Sequence, residues 1–284
     1  MTQTRDASNE RRALRIRRVP SLFVSHGSPL AVVDKQYAAA LRKFGTRQRN
    51  LRAIIVVSAH WQTTGGVHVT SHARPTLIYD FMGFPSWLYD IQYACPGDRM
   101  LAQAVAITLQ QGGIDARLDP ERGLDHGVWV PLSVAFPEAR IPVIQVSLPA
   151  PSDAKTLAAM GRALAPLRHD NVLLVGSGGL VHNLSRVRMD TEDTLADPWA
   201  EEFDAWARER AGAMDVAALA DYERLGPQAR LAVPTSEHFD PMLFVMGTAL
   251  PGDSVMDVYG SFRYGSLSMR TLALVGRRRE DRGY

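Results

Sequence analysis

The sequence predicts a single α/β domain with a mixed, largely parallel central sheet flanked by helices. Short apolar, β-branched runs alternate with amphipathic stretches of helical period along the 284 residues, which is typical of α/β folds. Several of these runs are apolar throughout, as expected for parallel strands that are buried on both faces. Hydrophobic residues make up 46% of the chain and charged residues 22%, so the composition allows a sizeable core.

The strands and helices follow each other along the chain. Apolar runs predict strands at Ser21–Val24, Ala53–Ser58, Val67–Thr70, Ile141–Ser147, Asn171–Gly176 and Thr271–Val275. Helices are predicted where an amphipathic stretch starts at Asp, Ser or Pro, residues that are frequent at helix starts. These helices are Asp98–Gln111, Ser152–Leu164, Pro198–Ala211 and Pro241–Leu250.

The segment Arg74–Pro96 interrupts this alternation. It is rich in proline and aromatic residues, and we expect an ordered loop that folds over part of the domain. Its aromatic side chains are equally compatible with a pocket wall and with core packing. They are Tyr79, Phe81, Phe84, Trp87, Tyr89 and Tyr93.

Both ends of the chain are predicted to lie outside the folded domain, which we place at 20–276. Residues 1–19 form a basic leader, expected to be flexible, with six arginines against two acidic residues, and 277–284 form a charged tail. The formal net charge is only +2, so the remainder of the chain has no basic surface for nucleic acid. Cys95 is the single cysteine, which agrees with a reducing compartment and a structural role.

The apolar runs of the sequence do not match those of a membrane-spanning helix or a secretory signal. No apolar run approaches the roughly 20 residues that a bilayer requires, and no apolar segment follows the arginines of the leader. We therefore expect a cytoplasmic protein without a membrane partner.

Three histidines follow predicted strands. His26 comes after the first strand, His60 closely follows the second, and His182 follows the strand ending at Gly176 through a glycine-rich turn. In open α/β sheets ligands bind beyond the carboxyl ends of the strands. The three side chains should therefore meet there, in an active site at the strand carboxyl ends.

Two further histidines occupy loop junctions. His126 lies in Asp125-His126-Gly127, and His238 lies where a loop enters a predicted helix. A single histidine of this kind is usually structural, but five together predict a metal or acid–base site. His68, His72 and His169 lack such a context, and we expect them to be surface or structural residues.

Taken in order, these motifs resemble one family. Ser25-His26-Gly27-Ser28-Pro29, Ser58-Ala59-His60-Trp61, Leu124-Asp125-His126-Gly127, the glycine-rich run to Asn183, and Glu237-His238 are similar to the motifs of the DODA-type (4,5-DOPA extradiol dioxygenase) branch of the class III, LigB-like extradiol dioxygenases. The similarity extends from about Pro20 to about Arg270.

The resemblance implies a catalytic domain that opens a catecholic ring with O2, using Fe(II), at a bond next to the paired hydroxyls. It implies His26, His60 and His238 as metal ligands, with Glu237 as the alternative third ligand. It implies His182 as the base and His126 as the proton donor. Three imidazoles also suit zinc, in which case His182 is a possible fourth ligand.

The expected partners are a small aromatic diol and O2, and the oligomeric state is open. Candidate pocket walls are Trp61, Tyr79, Phe81 and Trp129, and candidate partners of a substrate carboxylate are Arg74, Arg263 and Tyr264. Two alternatives remain: a zinc hydrolase that uses the same histidines, and a closed metal-binding module. Dependence on O2 separates the first from a dioxygenase.

Overall fold

The structure is a computed structural model that describes residues 18–188 and 195–276. The strands of this part are β1 (Ser21–Ser25), β2 (Ala53–Thr63), β3 (Val67–Thr70), β4 (Ala116–Asp119), β5 (Val143–Pro149), β6 (Val172–Gly178), β7 (Asp253–Tyr259), β8 (Phe262–Arg263), β9 (Leu267–Ser268) and β10 (Thr271–Gly276). Strands β8 and β9 form a small separate hairpin, and the others form one sheet.

The main sheet has eight strands in the order β4-β3-β5-β2-β6-β1-β10-β7. The four central strands β5, β2, β6 and β1 are parallel to one another. Strands β10 and β7 complete one side in antiparallel orientation, and β3 is antiparallel to β5 on the other. The predicted mixed, largely parallel sheet is confirmed.

Helices cover both faces of this sheet. They are α1 (Lys35–Arg47), α2 (Arg99–Gln111), α3 (His126–Ala135), α4 (Ala154–Leu164), α5 (Pro198–Gly212), α6 (Val216–Ala220), α7 (Tyr222–Leu225), α8 (Ala229–Ala232) and α9 (Asp240–Gly247). Alternate residues of a strand serve the two faces: Ile55 and Val57 of β2 pack on the side of α2, α4, α5 and α9, whereas Ile54 and Val56 pack on the side of α1 and α3.

The predicted strands and helices are present with small differences at their ends. The main difference is β2, which runs through His60 to Thr63 instead of ending at Ser58. Its pairing with β5 shifts between Val57 and Gln62, so His60 lies in a bulge inside the strand rather than in a following loop. Bulges are frequent beside active sites because they redirect a side chain.

Several elements of the described residues were not predicted: strands β4, β7, β8 and β9, and helices α1, α3, α6, α7 and α8. Strand β7 lies at a sheet edge and is only partly buried, so it has no continuous apolar run for a sequence pattern to detect. Strand β4 is a short edge strand. Helix α3 is buried all round and therefore shows no amphipathic period. Helix α1 buries Tyr37, Leu41 and Phe44 on one face, an amphipathic pattern that is present in the sequence.

The last two residues of the predicted leader contact the folded domain. Arg18 donates hydrogen bonds to Asp253, and the backbone N–H of Val19 donates to the carbonyl of Arg168. Both residues are therefore held by the domain. The rest of the predicted leader and the predicted tail lie outside the described residues.

No helix in the described ranges is long and apolar enough to cross a membrane.

Arg168 is a fully buried cation beneath the β1–β10 side of the sheet. Its guanidinium donates to the backbone carbonyls of Val19, Thr248 and Leu274 and forms an ion pair of 2.6 Å with Asp253. These bonds join the entry to β1, the end of α9, and strands β7 and β10. Burial acts to raise the pKa of Asp253, but the bonds and charges of Arg168 and Arg18 leave it below its usual value.

We expect Asp253→Asn to lower the free energy of unfolding by about 3–5 kcal/mol, because it leaves a buried cation without its counter-charge. Asp257→Asn on the same strand is the control: Asp257 pairs with Arg208 at the surface, and its loss should cost below about 1 kcal/mol. Denaturant unfolding measures both values. Equal losses in the two variants would contradict the role given to Asp253.

The same ion pair predicts the direction of a pH effect. Because the folded state lowers the pKa of Asp253, its stabilising contribution is present above the unfolded value of about 3.9 and is lost as the pH falls through the lower folded value. The difference in stability between the natural chain and Asp253→Asn should therefore shrink below about pH 4. A constant difference down to the acid limit of folding would argue against this linkage.

Candidate metal centre

Three histidines converge at the carboxyl ends of the central strands. His26 follows β1, His60 lies in the bulge of β2, and His238 ends a short 3-10 turn before α9. One ring nitrogen from each lies within 4.8 Å of the others. The ring centroids are 4.9 Å apart for His26 and His60 and 5.1 Å apart for His60 and His238.

The protonated nitrogen of His26 follows from its hydrogen bond. Nδ1 of His26 lies 3.0 Å from Oγ of Ser177, whose hydroxyl donates to the carbonyl of Gly127. Because the hydroxyl hydrogen of Ser177 is already donated to Gly127, Oγ of Ser177 can only accept a hydrogen bond from His26. Nδ1 of His26 therefore carries the ring hydrogen. Nε2 of His26 is therefore unprotonated in the neutral ring.

Carboxylates set the orientation of the other two rings. Nδ1 of His60 lies 3.3 Å from Oδ2 of Asp80, and Nδ1 of His238 lies 3.0 Å from Oε1 of Glu237. An ionised carboxylate only accepts hydrogen bonds, so His238 carries its proton at Nδ1. The contact between His60 and Asp80 is an ion pair without hydrogen-bond geometry, and the charge of Asp80 favours the same tautomer in His60. Nε2 of His60 lies 3.0 Å from Nε2 of His26, and Nε2 of His238 is buried without a hydrogen-bond partner in the described part of the chain.

This arrangement fits a metal ion. Two unprotonated nitrogens 3.0 Å apart repel each other unless a cation or proton lies between them. Nitrogens that share one ion at about 2.1 Å stand roughly 3.0 to 3.4 Å apart. Burial, followed by the charges of neighbouring histidines, lowers the pKa of His26 well below its usual value and that of His60 to about 2, so both rings are in the neutral form that binds metals.

His126 shares Asp80 with His60. Oδ1 of Asp80 accepts hydrogen bonds from Nδ1 and from the backbone N–H of His126, at 2.8 and 3.1 Å. The His126 ring centroid is 4.0 Å from that of His60. Burial acts to raise the pKa of Asp80, but its bond to His126 and the neighbouring charges hold it at about 2, so the carboxylate is ionised.

His182 lies against His238. The two rings stack with centroids 3.5 Å apart and an interplanar angle of 6°. Burial, and then the charge of His238, lowers the pKa of His182 to about 3, below the near-neutral value that the residue type alone suggests. His182 is not among the groups of converging ligand atoms found in the described residues.

Glu237 contacts the site through His238. Its Oε1 accepts from Nδ1 of His238 and from Oγ1 of Thr235, at 3.0 and 2.8 Å. The bond from His238 is the main reason that the pKa of Glu237 falls to about 2. The geometry thus places His238, rather than Glu237, with His26 and His60.

Two glycines allow neighbouring segments of the site to pack closely against the backbone. A Cβ at Gly178, at the end of β6, would lie 2.1 Å from the carbonyl oxygen of His238. A Cβ at Gly127 would lie 2.5 Å from Oγ of Ser58. These contacts explain the glycine of the Asp125-His126-Gly127 motif and one glycine of the run that precedes His182.

A buried polar network supports the bulge of β2. Asp125 accepts hydrogen bonds from Ser58 and Gln145, and the hydroxyl of Ser58 accepts from the backbone N–H of His60. Burial raises the pKa of Asp125, and this effect outweighs the two hydrogen bonds, which act to lower the pKa. The network holds the backbone of His60 in the orientation that turns its ring towards His26.

Sequence reasoning missed Asp80, Ser177 and Gln145. Asp80 stands between Tyr79 and Phe81, and an acidic residue flanked on both sides by aromatic residues was the available signal. Ser177 lies in the glycine-rich run before His182, which the sequence pattern indicated only as a turn. Gln145 lies inside the apolar run of β5 and is fully buried.

The predicted pocket walls separate into two groups. The ring of Phe81 contacts His126, and Tyr79 and Phe81 both pack against Trp129. Trp61 instead contacts His68 and Arg122. Among the candidate partners of a substrate carboxylate, Arg263 is paired with Asp34, Tyr264 lies in a turn with positive φ, and Arg74 is exposed.

Comparison with known proteins agrees with this geometry. The family model described as the catalytic LigB subunit of aromatic ring-opening dioxygenase matches residues 18–271. The chain is 37% identical to 4,5-DOPA dioxygenase extradiol of Escherichia coli K12, over 90% of this chain and 95% of that protein. It is 38% identical to the protein of the same name from Portulaca grandiflora, over 87% of this chain and 92% of the relative.

A solved structure shares the fold. The crystal structure of an uncharacterized protein from Escherichia coli K12 superposes with a TM-score of 0.76 at 33% sequence identity, covering 91% of this chain and 100% of that one. The family match and these identities confirm the resemblance that the motifs predicted. The chain therefore belongs to the LigB family of aromatic ring-opening dioxygenases and is an extradiol ring-cleaving enzyme.

Proposed function

We propose that this protein opens a catecholic ring with O2 in an Fe(II)-dependent reaction, with His26, His60 and His238 as the metal ligands. The observation that carries the proposal is the convergence of three imidazoles whose Nδ1 atoms each face a side-chain oxygen outside the centre. Their Nε2 atoms are left to share one ion. The orphaned Nε2 of His238 supports this residue over Glu237 as third ligand.

Fe(II) supplies the redox chemistry that joins O2 to an electron-rich ring. Three imidazoles also suit Zn, which remains the alternative occupant, with His182 then a possible fourth ligand. The LigB family match favours ring cleavage over the zinc hydrolase that the same histidines would allow.

His182 is the proposed base. Its lowered pKa keeps the ring neutral at physiological pH, so a ring nitrogen is available to take a proton from a catechol hydroxyl. Stacking on His238 fixes the plane of the ring beside the ligands. The deprotonated catechol is a better electron donor than the neutral diol.

His126 is the proposed proton donor. Asp80 holds its Nδ1 hydrogen, so the proton that His126 delivers is carried at Nε2. The carboxylate offsets the positive charge of the doubly protonated ring. Contact with Phe81 shields this side of the site from water, which favours delivery of the proton to the substrate rather than to solvent.

The proposed substrate is a DOPA-like or otherwise substituted catechol. Relatives with 37% and 38% identity carry the name 4,5-DOPA dioxygenase extradiol. In the proposed reaction both atoms of O2 enter the product, a muconic semialdehyde, and the ring bond next to the paired hydroxyls breaks. We place this activity in the 20–276 domain and in the cytoplasm, where the buried free thiol of Cys95 stays reduced.

Oxygen uptake tests the reaction. Protein stripped of metal and reloaded anaerobically with Fe(II) should consume one O2 per catechol and form a yellow semialdehyde, with DOPA and caffeate among the substrates tested. Zn-loaded protein is the control and should consume none. Absence of uptake with every catechol, in protein shown to hold Fe(II), would reject the proposal.

A ligand variant tests the metal site. His60→Ala should lose stoichiometric Fe(II) binding, because two imidazoles remain of the three. His68→Ala is the matched control, since His68 contacts Trp61 and Asp119 outside the site and its loss should leave binding unchanged. Metal content after gel filtration measures both. Full metal content in His60→Ala would remove His60 from the ligand set.

A base variant separates catalysis from metal binding. His182→Ala should keep Fe(II) and lower kcat by roughly 10²–10⁴-fold, the usual contribution of a positioned general base. Metal content and single-turnover kinetics measure the two effects. Loss of the metal would instead indicate a ligand, and unchanged kcat would refute the role as base.

A further inference from the structure

The proposed ligand set carries no charge. Histidine binds a metal ion as a neutral imidazole, and the proposed ligands His26, His60 and His238 include no carboxylate. A buried dication without nearby negative charge is costly in a protein interior. The source of that negative charge has to lie outside the ligands.

Two carboxylates contact the far side of two of the ligands. Glu237 accepts the Nδ1 hydrogen of His238 at 3.0 Å, and Asp80 forms an ion pair of 3.3 Å with Nδ1 of His60. The third ligand, His26, has the neutral hydroxyl of Ser177 in the equivalent place. Two negative charges therefore stand one imidazole away from the site, equal in number to the charges of a divalent ion.

We propose that Glu237 and Asp80 are positioning residues that supply, through the rings of His238 and His60, the negative charge that the ligands lack. This inference rests on the proposed ligand set. A carboxylate that accepts the Nδ1 hydrogen of a ligating histidine makes Nε2 more basic and fixes the ring orientation. The two residues thus strengthen metal binding without contacting the metal.

Glu237 is the better of the two residues to substitute, because its side chain forms no hydrogen bond with His126. Asp80 also binds His126, so its substitution disturbs the proton donor together with the ligand. Glu237 is bonded to His238 and Thr235, and in Glu237→Gln an amide oxygen of the same shape can still accept both hydrogen bonds. The substitution removes the charge and leaves the geometry.

Glu237→Gln should weaken the binding of Zn(II) and Co(II) by about 10–100-fold, as other such outer partners of metal-binding histidines do. Chelator competition measures the affinity. The visible spectrum of the Co(II) form should keep its band positions, because the three imidazoles remain. The Fe(III)/Fe(II) midpoint potential should rise, because less negative charge favours the reduced ion.

Two further variants control the result. Glu202→Gln removes a carboxylate from the exposed face of α5 and should leave affinity, spectrum and potential unchanged. Thr235→Val removes the hydroxyl that holds Glu237 while keeping the charge, and should weaken binding by less than Glu237→Gln. This variant keeps the inference testable if Glu237→Gln does not fold.

The outcomes are distinguishable. Unchanged metal affinity and potential in Glu237→Gln, with normal metal binding in the natural chain, would overturn the inference and leave the proposed function intact. A changed Co(II) spectrum in Glu237→Gln, together with full binding by His238→Ala, would overturn it by identifying Glu237 as a direct ligand. A natural chain that takes up no Co(II) would overturn the ligand set and this inference with it.

Discussion

The parallel pairing of β6 with both β1 and β2 is the constraint on which the candidate metal centre depends. This pairing brings Ser25, Ser58 and Gly178 to the same edge of the sheet, so His26 and the bulge that carries His60 face each other. The same strand supplies Ser177, which orients His26, and Gly178, against which the carbonyl of His238 packs. One central strand therefore aligns contributions from three separate parts of the chain.

The site is organised around the Nδ1 atoms rather than around the metal alone. Nδ1 of His26 donates to Ser177 and Nδ1 of His238 donates to Glu237, whereas Nδ1 of His60 forms an ion pair with Asp80. The neutral state of His26 and His60 follows from burial and from the proximity of like charges. The protein thus holds these two imidazoles in the protonation state that a cation requires.

The aromatic segment Arg74–Pro96 belongs to this centre as well as to the core. Phe81 and Tyr79 pack on Trp129 of α3, while Asp80 between them binds His60 and His126. The apolar side chains of this segment therefore pack against the core while its carboxylate reaches the histidines, because neighbouring side chains of an extended segment point in different directions. Packing of the apolar pair fixes the position of the carboxylate.

The sequence by itself determined the fold class and the central strands, and it predicted that five histidines belong to one site. Apolar periodicity and the placement of His, Gly and Asp at strand ends are local properties that a sequence shows directly. The tertiary structure decided which partner each histidine has. Asp80 and His126 are far apart in the chain, as are Ser177 and His26, and no local pattern reports contacts between distant segments. The bulge in β2 is also tertiary, since it depends on the register with β5 and on Asp125 beneath Ser58. Residue types thus indicated the chemistry of the site, and long-range packing decided the orientation of each ring.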